Sequence, residues 1–336
     1  MLSYTITPDD HCRRLESFLQ RLLPAAQQAY CRKLIKSNAC TLNRTKSSPD
    51  ALLSAGDIVG LKESGQVMEH LNKSLFQFQI RDEIKAARSS ATQAYTQYVE
   101  EPNPSQRRYR PELELELDLL WQDDRLLVIN KPAGLAMHPA AEVDENLVDL
   151  ASSWLEKRSN HPSRIYPVNR LDRGTSGVVL LATSSSSAGM LGRQVKEEGL
   201  DKCYLTVVEG RLEGSGEIDA PLDGKESLSR YQCLAAGEQN TLLLVEPVSG
   251  RTHQIRRHLS LVGHPVLGDM RYNAVPLPSL PGIALHSFRT ILQHPTEQHQ
   301  LTICAPLPAA LRALAVERCG LDETSLLQLL VELSRR

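Results

Sequence analysis

The sequence has no long apolar run. Among its 336 residues no uncharged apolar stretch approaches the about 18 residues that a membrane-spanning helix needs. The N-terminus MLSYTITPDDHCRR also lacks the basic and then apolar order of a signal peptide. We therefore expect a cytoplasmic protein that does not associate with a membrane.

Paired cysteines are missing as well. The seven cysteines are an odd number, are scattered along the chain and include no C-x-x-C pair. This pattern disfavours both a disulfide framework and a zinc knuckle. His253, His258 and His264 do not have the i, i+4 spacing of a helical metal site. No metal centre is expected.

Aromatic residues and net charge are both low. Aromatics make up 4% of the chain, which excludes a broad stacking platform like that of an RNA-recognition sheet. The formal charge of −2 gives no global attraction to a polyanion. Any nucleic-acid binding must therefore use local basic patches.

The length and composition fit a globular protein with more than one part. At 336 residues, 41% hydrophobic and 23% charged, the chain exceeds one ordinary domain and can bury a sizeable core. Changes of texture along the sequence predict four segments. These are a small domain at 1–64, a helical insertion or linker at 65–111, a main domain at 112–310 and a helical tail at 311–336.

The first segment carries a local positive charge. Residues 1–64 hold nine Lys or Arg residues and six Asp or Glu residues. Amphipathic patterns at 14–19 and 28–37 predict helices, and short strand-like pieces follow up to residue 59. Three basic residues, Arg32, Lys33 and Lys36, lie within about one helical turn. They form either an RNA contact or an ordinary solvated helix face.

From residue 112 the pattern becomes that of strands. The stretch 113–120 (LELELDLL) alternates with period two, and apolar runs follow at 125–132, 176–183, 202–210, 241–247, 283–292 and 300–306; all of these predict strands. Helical patterns interrupt them around 145–157, 187–198, 252–262 and 307–317. Helices placed this unevenly predict an α+β fold with a mixed, largely antiparallel sheet flanked by helices.

The most unusual polar stretch is 167–177 (PVNRLDRGTSG), which leads directly into an apolar strand. A loop held by a buried strand is a common place for a functional carboxylate. Asp172 lies between Arg170 and Arg173, and two guanidinium neighbours favour its ionised form. Asp172 therefore suits the role of a nucleophile or charge stabiliser, or it braces a turn.

Two further stretches carry candidate residues. The segment 250–258 (GRTHQIRRH) places basic and amide groups at the start of a predicted helix, where donors can bind phosphate. It is otherwise a basic surface helix. Tyr204, on the strand at 202–210, either faces a cleft or is a half-buried strand residue.

Taken together, five ordered motifs within 113–307 resemble the RluA-type pseudouridine synthases. The motifs are LLVINKPAG at 126–134 with His138-Pro139, RLDRGTSG at 170–177, Lys202-x-Tyr204, GRTHQIR at 250–256 and GHPVLGD at 263–269. The resemblance implies the pseudouridine synthase catalytic fold and isomerisation of uridine to pseudouridine in structured RNA. That reaction needs no redox equivalent, metal or other cofactor.

The resemblance also implies roles for individual residues. Asp172 would be the essential carboxylate, which attacks the sugar or the base or initiates elimination from the sugar. Tyr204 would stack on the uracil and serve in proton removal, and Arg256 would pair with Asp172. The remaining expected roles are pocket wall for Ile255, gap filling after base extrusion for Arg170, and phosphate contact for Lys131, Arg251 and the basic residues Arg32, Lys33 and Lys36.

Two regions depart from the usual patterns. Asn169 stands where the family usually has His, and we expect a structural role for it because Asn cannot titrate near neutral pH. The N-terminal segment is similar to the small α/β RNA-binding domain of the ribosomal protein S-four type. In that comparison Glu16 replaces the usual Asp, and Asn38 replaces the usual turn glycine.

Other functions compete with the RNA-isomerase interpretation. The first is a catalytically lapsed RNA-binding or ribosome-assembly factor on the same scaffold. The second is a hydrolase that uses Ser176 or Asp172 with His253, although the G-x-S-x-G elbow is missing. For the isomerase we expect a monomer that acts on RNA, with ribosomal RNA favoured over transfer RNA by analogy with its N-terminal domain.

Overall fold

The computed structural model consists of an N-terminal unit and a large sheet covered by helices. It describes residues 2–23, 26–62, 64–71, 117–138, 145–159, 164–197, 199–272, 274–275, 277, 279–297 and 299–335. Most of the predicted insertion at 65–111 lies outside these ranges, as does most of the alternating stretch before residue 117. Within the described ranges no helix combines the length and the apolarity that crossing a membrane requires.

The N-terminal unit, residues 2–71, has its own sheet and its own apolar core. Its strands are β1 (Leu2–Thr5), β2 (Cys40–Leu42) and β3 (Ile58–Leu61), in the antiparallel order β1-β3-β2. Its helices are α1 (Leu15–Leu22), α2 (Gln28–Lys36) and α3 (Gly65–His70). Val67 of α3 packs into this core. At Asn38 the backbone has a φ of 62°, the left-handed conformation that glycine adopts readily and asparagine tolerates.

Ten strands form the main sheet. They are β4 (Leu119–Gln122), β5 (Leu126–Lys131), β6 (Tyr166–Pro167), β7 (Ser176–Ala182), β8 (Asp201–Glu209), β9 (Ser215–Asp219), β10 (Leu228–Ala236), β11 (Asn240–Pro247), β12 (Leu285–Gln293) and β13 (Gln300–Cys304). The path through the sheet is β4-β5-β7-β12-β8-β11-β10-β9, with β13 on β12 and β6 on β7. Only the β7–β12 pairing is parallel among these described strands. The expected α+β fold with a mixed, largely antiparallel sheet is confirmed.

In the described part of the chain, five further helices flank this sheet. They are α4 (Leu147–Ser159), α5 (Ser185–Glu197), α6 (Gln254–Leu261), α7 (Ala309–Cys319) and α8 (Glu323–Arg335). Each lies where a helical pattern was predicted. Leu326, Leu330 and Leu333 of α8 are buried in the main core, so the C-terminal helix stabilises the sheet through its apolar face. The sequence patterns missed β1, β6, β9 and β10.

Arginines hold the N-terminal unit against the main sheet. Arg13 is 1% exposed and donates to both carboxylate oxygens of Asp118, at 2.7 and 3.1 Å, and to Asp10 at 2.9 Å. Burial by itself would raise the pKa of Asp118, but the charge and hydrogen bonds of Arg13, together with the Arg21 charge and the Asn130 hydrogen bond, outweigh burial and lower the pKa. Arg14 donates to the carbonyl oxygen of Thr302, and its guanidinium lies over the Trp121 ring. These contacts cross the junction between the two parts of the chain.

Replacing Asp118 with Asn is expected to lower the free energy of unfolding by about 2–3 kcal/mol. Loss of one partner leaves part of a buried charge uncompensated, and the effect is smaller than for a fully enclosed pair because Asp118 is 33% exposed. Urea unfolding of the full chain measures the change. Glu217→Gln is the matched control, since the Arg230–Glu217 pair is exposed and contributes little to stability. Equal effects of the two variants would contradict a structural role for the junction.

Candidate active site

Three neighbouring strands bring the predicted site together in the middle of the sheet. Ser287 of β12 pairs with Gly177 of β7 on one side and with Tyr204 of β8 on the other. The loop that carries Asp172 ends at β7, so the register places this loop above the strand that carries Tyr204. The close approach of β7 to β12 requires a glycine, because a Cβ at Gly177 would lie 2.2 Å from the carbonyl oxygen of Ser287.

Asp172 is bound by Arg256, which stands between two carboxylates. The Nη1 of Arg256 donates to Oδ2 of Asp172 at 2.9 Å, and its Nε and Nη2 donate to Asp269 at 2.5 and 2.8 Å. Burial alone would lower the pKa of Arg256, but the hydrogen bonds and charges of Asp269 and Asp172 raise it. The guanidinium therefore stays charged and holds Asp172 by a charge-assisted hydrogen bond.

Asp269 was missed as a functional residue by the sequence interpretation. Its side chain is 2% exposed. Its two carboxylate oxygens each accept a hydrogen bond from Arg256, and this bidentate geometry fixes the plane of the guanidinium. The stretch 263–269 belongs to the motifs of the resemblance, but nothing local to Asp269 indicates its partner. Only the fold brings the turn after α6 back against that helix.

An open cavity of about 420 Å³ lies over Asp172. Arginine and histidine side chains surround the Asp172 carboxylate in this cavity. They include Arg170, Arg173, His253, Arg256 and Arg271. Arg170, Arg173 and Arg271 are exposed. A carboxylate at the floor and arginines around the rim suit a nucleotide, since the rim can hold backbone phosphates while a base enters. The sequence interpretation did not include Arg271.

The Asp172 loop is anchored by backbone bonds to its neighbours. The Thr175 amide donates to the carbonyl oxygen of Asp172 at 3.0 Å, which closes a turn. Arg173 and Gly134 exchange hydrogen bonds, since the Gly134 amide donates to the Arg173 carbonyl and Arg173 Nε donates to the Gly134 carbonyl. Among the described residues, the guanidinium that donates to Asp172 is that of Arg256 on α6, and not that of either sequence neighbour.

Tyr204 lies in the main core beneath the site and is 8% exposed. Burial raises the pKa of Tyr204 to about 12, and the negative charge of Asp172 acts in the same direction. The hydroxyl is therefore protonated at neutral pH. Tyr204 is not among the residues that line the cavity, so its ring belongs to the core beneath the Asp172 loop.

The prediction that Lys131 contacts phosphate is wrong. Its side chain is fully buried, and its Nζ donates to the carbonyl oxygens of Pro132, Leu135 and Arg173 at 2.9, 2.8 and 3.3 Å. The ammonium is thereby saturated by the backbone below the cavity. Lys131 ties the loop after β5 to the Asp172 loop.

Lys131→Met is expected to lower the free energy of unfolding by about 2–3 kcal/mol at neutral pH, because three carbonyl groups lose their donor. Burial lowers the pKa of Lys131 from 10.5 to about 8. Between pH 8 and pH 10.5 Lys131 is protonated in the unfolded chain but largely deprotonated in the folded protein. The unfolded state therefore binds more protons, so the contribution of Lys131 to stability rises with pH across this window and is smallest below pH 8. Urea unfolding at two pH values measures both effects. Substitution of the exposed Lys225 by Met is the control; an equally small loss in both variants would contradict the bracing role.

Asn169 has the structural role that the sequence predicted. Its amide nitrogen donates to the carbonyl oxygen of Val178 at 3.2 Å, and its amide oxygen accepts from the Leu180 amide at 2.8 Å. A side-chain amide can offer a donor and an acceptor to β7 at the same time. Asn169 thus fixes the chain three residues before Asp172.

The remaining residues predicted for the site lie in different parts of the structure. Ile255 is buried in the main core, Arg170 lines the cavity, and the exposed Arg251 lies outside the cavity wall with its Nε donating to the Glu226 carbonyl. Arg32 donates to both oxygens of Glu16, and its guanidinium lies 5.7 Å from the centre of the Trp121 ring. Lys33 and Lys36 are exposed on α2. The structure thus joins Asp172, Arg256 and Arg170 and leaves the basic residues of α2 on the N-terminal unit.

One cluster of possible metal ligands occurs in the described part of the chain, and its geometry does not suit a metal. His294, Glu297 and His299 offer atoms within 4.8 Å of one another. However, His294 uses both ring nitrogens, since Nε2 binds Asp123 and Nδ1 accepts from the Glu297 amide. The rings of His294 and His299 stack at 11°, so their in-plane lone pairs do not converge on one point.

Known proteins are similar to this chain in sequence and in fold. A family model described as RNA pseudouridylate synthase matches residues 125–261. A tRNA pseudouridine synthase C of Pasteurella multocida is 35% identical over 225 residues, which cover 57% of this chain and 91% of that protein. The chain belongs to the RNA pseudouridine synthase family. This pseudouridine synthase therefore isomerises uridine to pseudouridine in RNA, and the expected catalytic fold is confirmed.

Two other relatives extend the likeness of this pseudouridine synthase. A ribosomal large subunit pseudouridine synthase C of Haemophilus ducreyi is 26% identical over 343 residues, which cover 93% of each chain. The solved structure of human RNA pseudouridylate synthase domain containing 1 has a TM-score of 0.50 and 25% identity, over 66% of this chain and 98% of that chain. The sequence likeness to the first relative extends well beyond the part matched by the family model.

Proposed function

We propose that Asp172 is the catalytic carboxylate of this pseudouridine synthase. The observation that carries the proposal is the Asp172–Arg256 hydrogen bond of 2.9 Å at the floor of an open cavity. A permanently charged partner orients the carboxylate, and two hydrogen bonds to Asp269 hold that partner in place. One oxygen of Asp172 stays available to the ribose or the base.

The reaction is an isomerisation, so every atom of the uridine is retained. The bond between ribose carbon 1 and nitrogen 1 of the base breaks, the base turns, and carbon 5 bonds to the sugar. The proton on carbon 5 then leaves, and nitrogen 1 gains one. Asp172 initiates the bond breaking, and the Tyr204 ring holds the uracil while it turns. Removal of the carbon 5 proton by the Tyr204 oxygen requires that its own proton leave first, since the hydroxyl is protonated at neutral pH.

Base extrusion brings the uridine to Asp172. A uracil in folded RNA is stacked or paired, and its extrusion costs roughly a few kcal/mol. Arg170 is exposed at the rim next to Asp172, in a position to fill the gap that the base leaves. Arg173 and Arg271 add positive charge around the same opening, where backbone phosphates pass.

For the substrate we favour ribosomal RNA over transfer RNA. The support is that the Haemophilus ducreyi relative, whose name states a ribosomal substrate, is similar over 93% of both chains. The Pasteurella multocida relative, whose name states a tRNA substrate, matches only 57% of this chain. We further propose that the N-terminal unit binds RNA through Lys33 and Lys36, with Arg32 bound to Glu16 beside them. A cytoplasmic location and a monomeric state stay predictions.

Pseudouridine mapping of total RNA tests the substrate. Cells that lack the gene are compared with cells that carry the full wild-type chain or the Asp172→Asn variant. We expect one or a few sites in large-subunit ribosomal RNA to lose pseudouridine and only the wild type to restore them. Sites lost in transfer RNA alone would overturn the ribosomal assignment, and restoration by Asp172→Asn would overturn the role of Asp172.

A further inference from the structure

His253 lies beside Asp172, Tyr272 lies against His253, and neither takes part in the reaction described above. His253 caps the N-terminus of α6 with φ 55° and ψ 27°, a left-handed backbone that is uncommon outside glycine. Strain of this kind persists where the surrounding structure holds it, and it concentrates at functional sites. The unusual backbone brings the His253 ring into the cavity wall next to Asp172.

Both ring nitrogens of His253 have a partner in the site. Nδ1 lies 2.8 Å from the Tyr272 hydroxyl, and Nε2 lies 3.5 Å from Oδ1 of Asp172. The rings of His253 and Tyr272 meet edge to face with centroids 5.7 Å apart. His253 thus bridges a hydroxyl and the proposed catalytic carboxylate.

The partners select one tautomer of the imidazole. An ionised carboxylate only accepts hydrogen bonds, so a proton on Nε2 is favourable and a lone pair there is repelled. With the proton on Nε2, Nδ1 is an acceptor, and the Tyr272 hydroxyl can donate to it. In the opposite tautomer the Nε2 lone pair would face the negative charge of Asp172.

The charges around His253 come from four groups, namely Asp172, Arg256, Arg271 and Asp269. Burial lowers the pKa of His253, and the two arginines act in the same direction against the two carboxylates. The imidazole is therefore neutral at neutral pH. At 3.5 Å the neutral imidazole makes a weaker contact with Asp172 than the guanidinium of Arg256, which donates at 2.9 Å.

We propose that His253 is a positioning residue for Asp172 and that Tyr272 fixes the tautomer that makes this possible. Arg256 binds Oδ2 of Asp172 at 2.9 Å, whereas Nε2 of His253 stands 3.5 Å from Oδ1. Because its contact is the weaker one, Oδ1 is the oxygen that acts on the substrate. The His253 imidazole orients Oδ1 and can release it when the substrate binds. The Tyr272 ring also lies 5.0 Å from the Arg256 guanidinium, so one side chain supports both groups that hold Asp172. This inference rests on the proposed role of Asp172.

Nitrogen NMR of the full chain with ¹⁵N-labelled histidine reads the tautomer directly. The chain has ten histidines, and His253→Asn assigns the resonance because asparagine tolerates the left-handed backbone. We expect the Nε2-protonated form in the wild type and a mixture of tautomers in Tyr272→Phe, which keeps the ring over Arg256. A wild-type His253 protonated on Nδ1 would overturn the proposal.

Kinetics of the same variants separate positioning from RNA binding. We expect Tyr272→Phe and His253→Asn to lower kcat by about 10- to 100-fold with little change in KM, because a misplaced reacting group slows the chemical step. His299→Asn, on the distant β12–β13 hairpin, should keep wild-type activity. Unchanged kcat in both site variants, or a change confined to KM, would overturn the positioning role. Inactivity of Asp172→Asn beside fully active His253→Asn would leave the proposed function intact and contradict this inference alone.

Discussion

Asp172→Asn is expected to reduce pseudouridine formation by at least about 10³-fold while RNA binding changes little. Asparagine has nearly the same shape and can still accept from Arg256, but it cannot attack the sugar or the base as a carboxylate does. Loss of a group that acts only in the chemical step lowers kcat and spares ground-state binding. The substitution therefore separates catalysis from recognition.

Two assays on the purified full chain measure this prediction. Release of tritium from RNA labelled at carbon 5 of uridine reports the proton that the isomerisation removes, and filter binding reports RNA affinity. Asp124→Asn, an exposed aspartate in the β4–β5 turn, is the matched control and should keep full activity. A residual rate above a tenth of the wild type would show that Asp172 is not the essential carboxylate.

Gly177→Ala is expected to destabilise the fold by about 3–5 kcal/mol and to abolish activity with it. The backbone at Gly177 has a φ of 112°, and an added Cβ would meet backbone atoms of Ser287 at 2.2, 2.7 and 2.8 Å. The strained conformation and the steric overlap both add to the cost. Since β7 carries the Asp172 loop and β12 lies against Tyr204, forcing these strands apart separates the proposed catalytic groups.

Urea unfolding with activity measured in parallel tests the glycine requirement. The matched control is Gly192→Ala in the exposed face of α5, where a Cβ meets no atom within 4 Å. Alanine there should stabilise the helix by up to about 1 kcal/mol. A Gly177→Ala variant as stable as the wild type would contradict the requirement for glycine where β7 approaches β12.

Strong local patterns made much of the fold predictable. The apolar runs at β5, β7, β8 and β11 are buried on both faces and contain β-branched residues, so they are recognisable without a partner. By contrast, β10 (Leu228–Ala236) has mostly half-exposed residues with no clear alternation, and β9 (Ser215–Asp219) is a short edge strand. Their pairing with neighbours, rather than their own composition, makes them strands.

The candidate site was predictable to the extent that its residues carry motifs. Asp172, Tyr204 and Arg256 were named from the order of the motifs, and the structure places Arg256 on Asp172. Lys131 was misassigned because a lysine next to a loop is ordinarily exposed, whereas here it is enclosed by three carbonyl groups. Burial of this kind depends on which loops meet: two of those carbonyls belong to the loop that follows Lys131, and the third lies 42 residues away.

By itself the sequence determined the α+β class, most helices and central strands, and the carboxylate that the family motif places at 172. These features follow from side-chain periodicity and from short motifs, which are local properties of the chain. The tertiary structure alone decided that Asp269 holds Arg256, that Lys131 is an internal brace, and that His253 faces Asp172. Each of these depends on polar contacts between separate loops and helices, and the distance and direction of such contacts are set only when the strands and helices have packed.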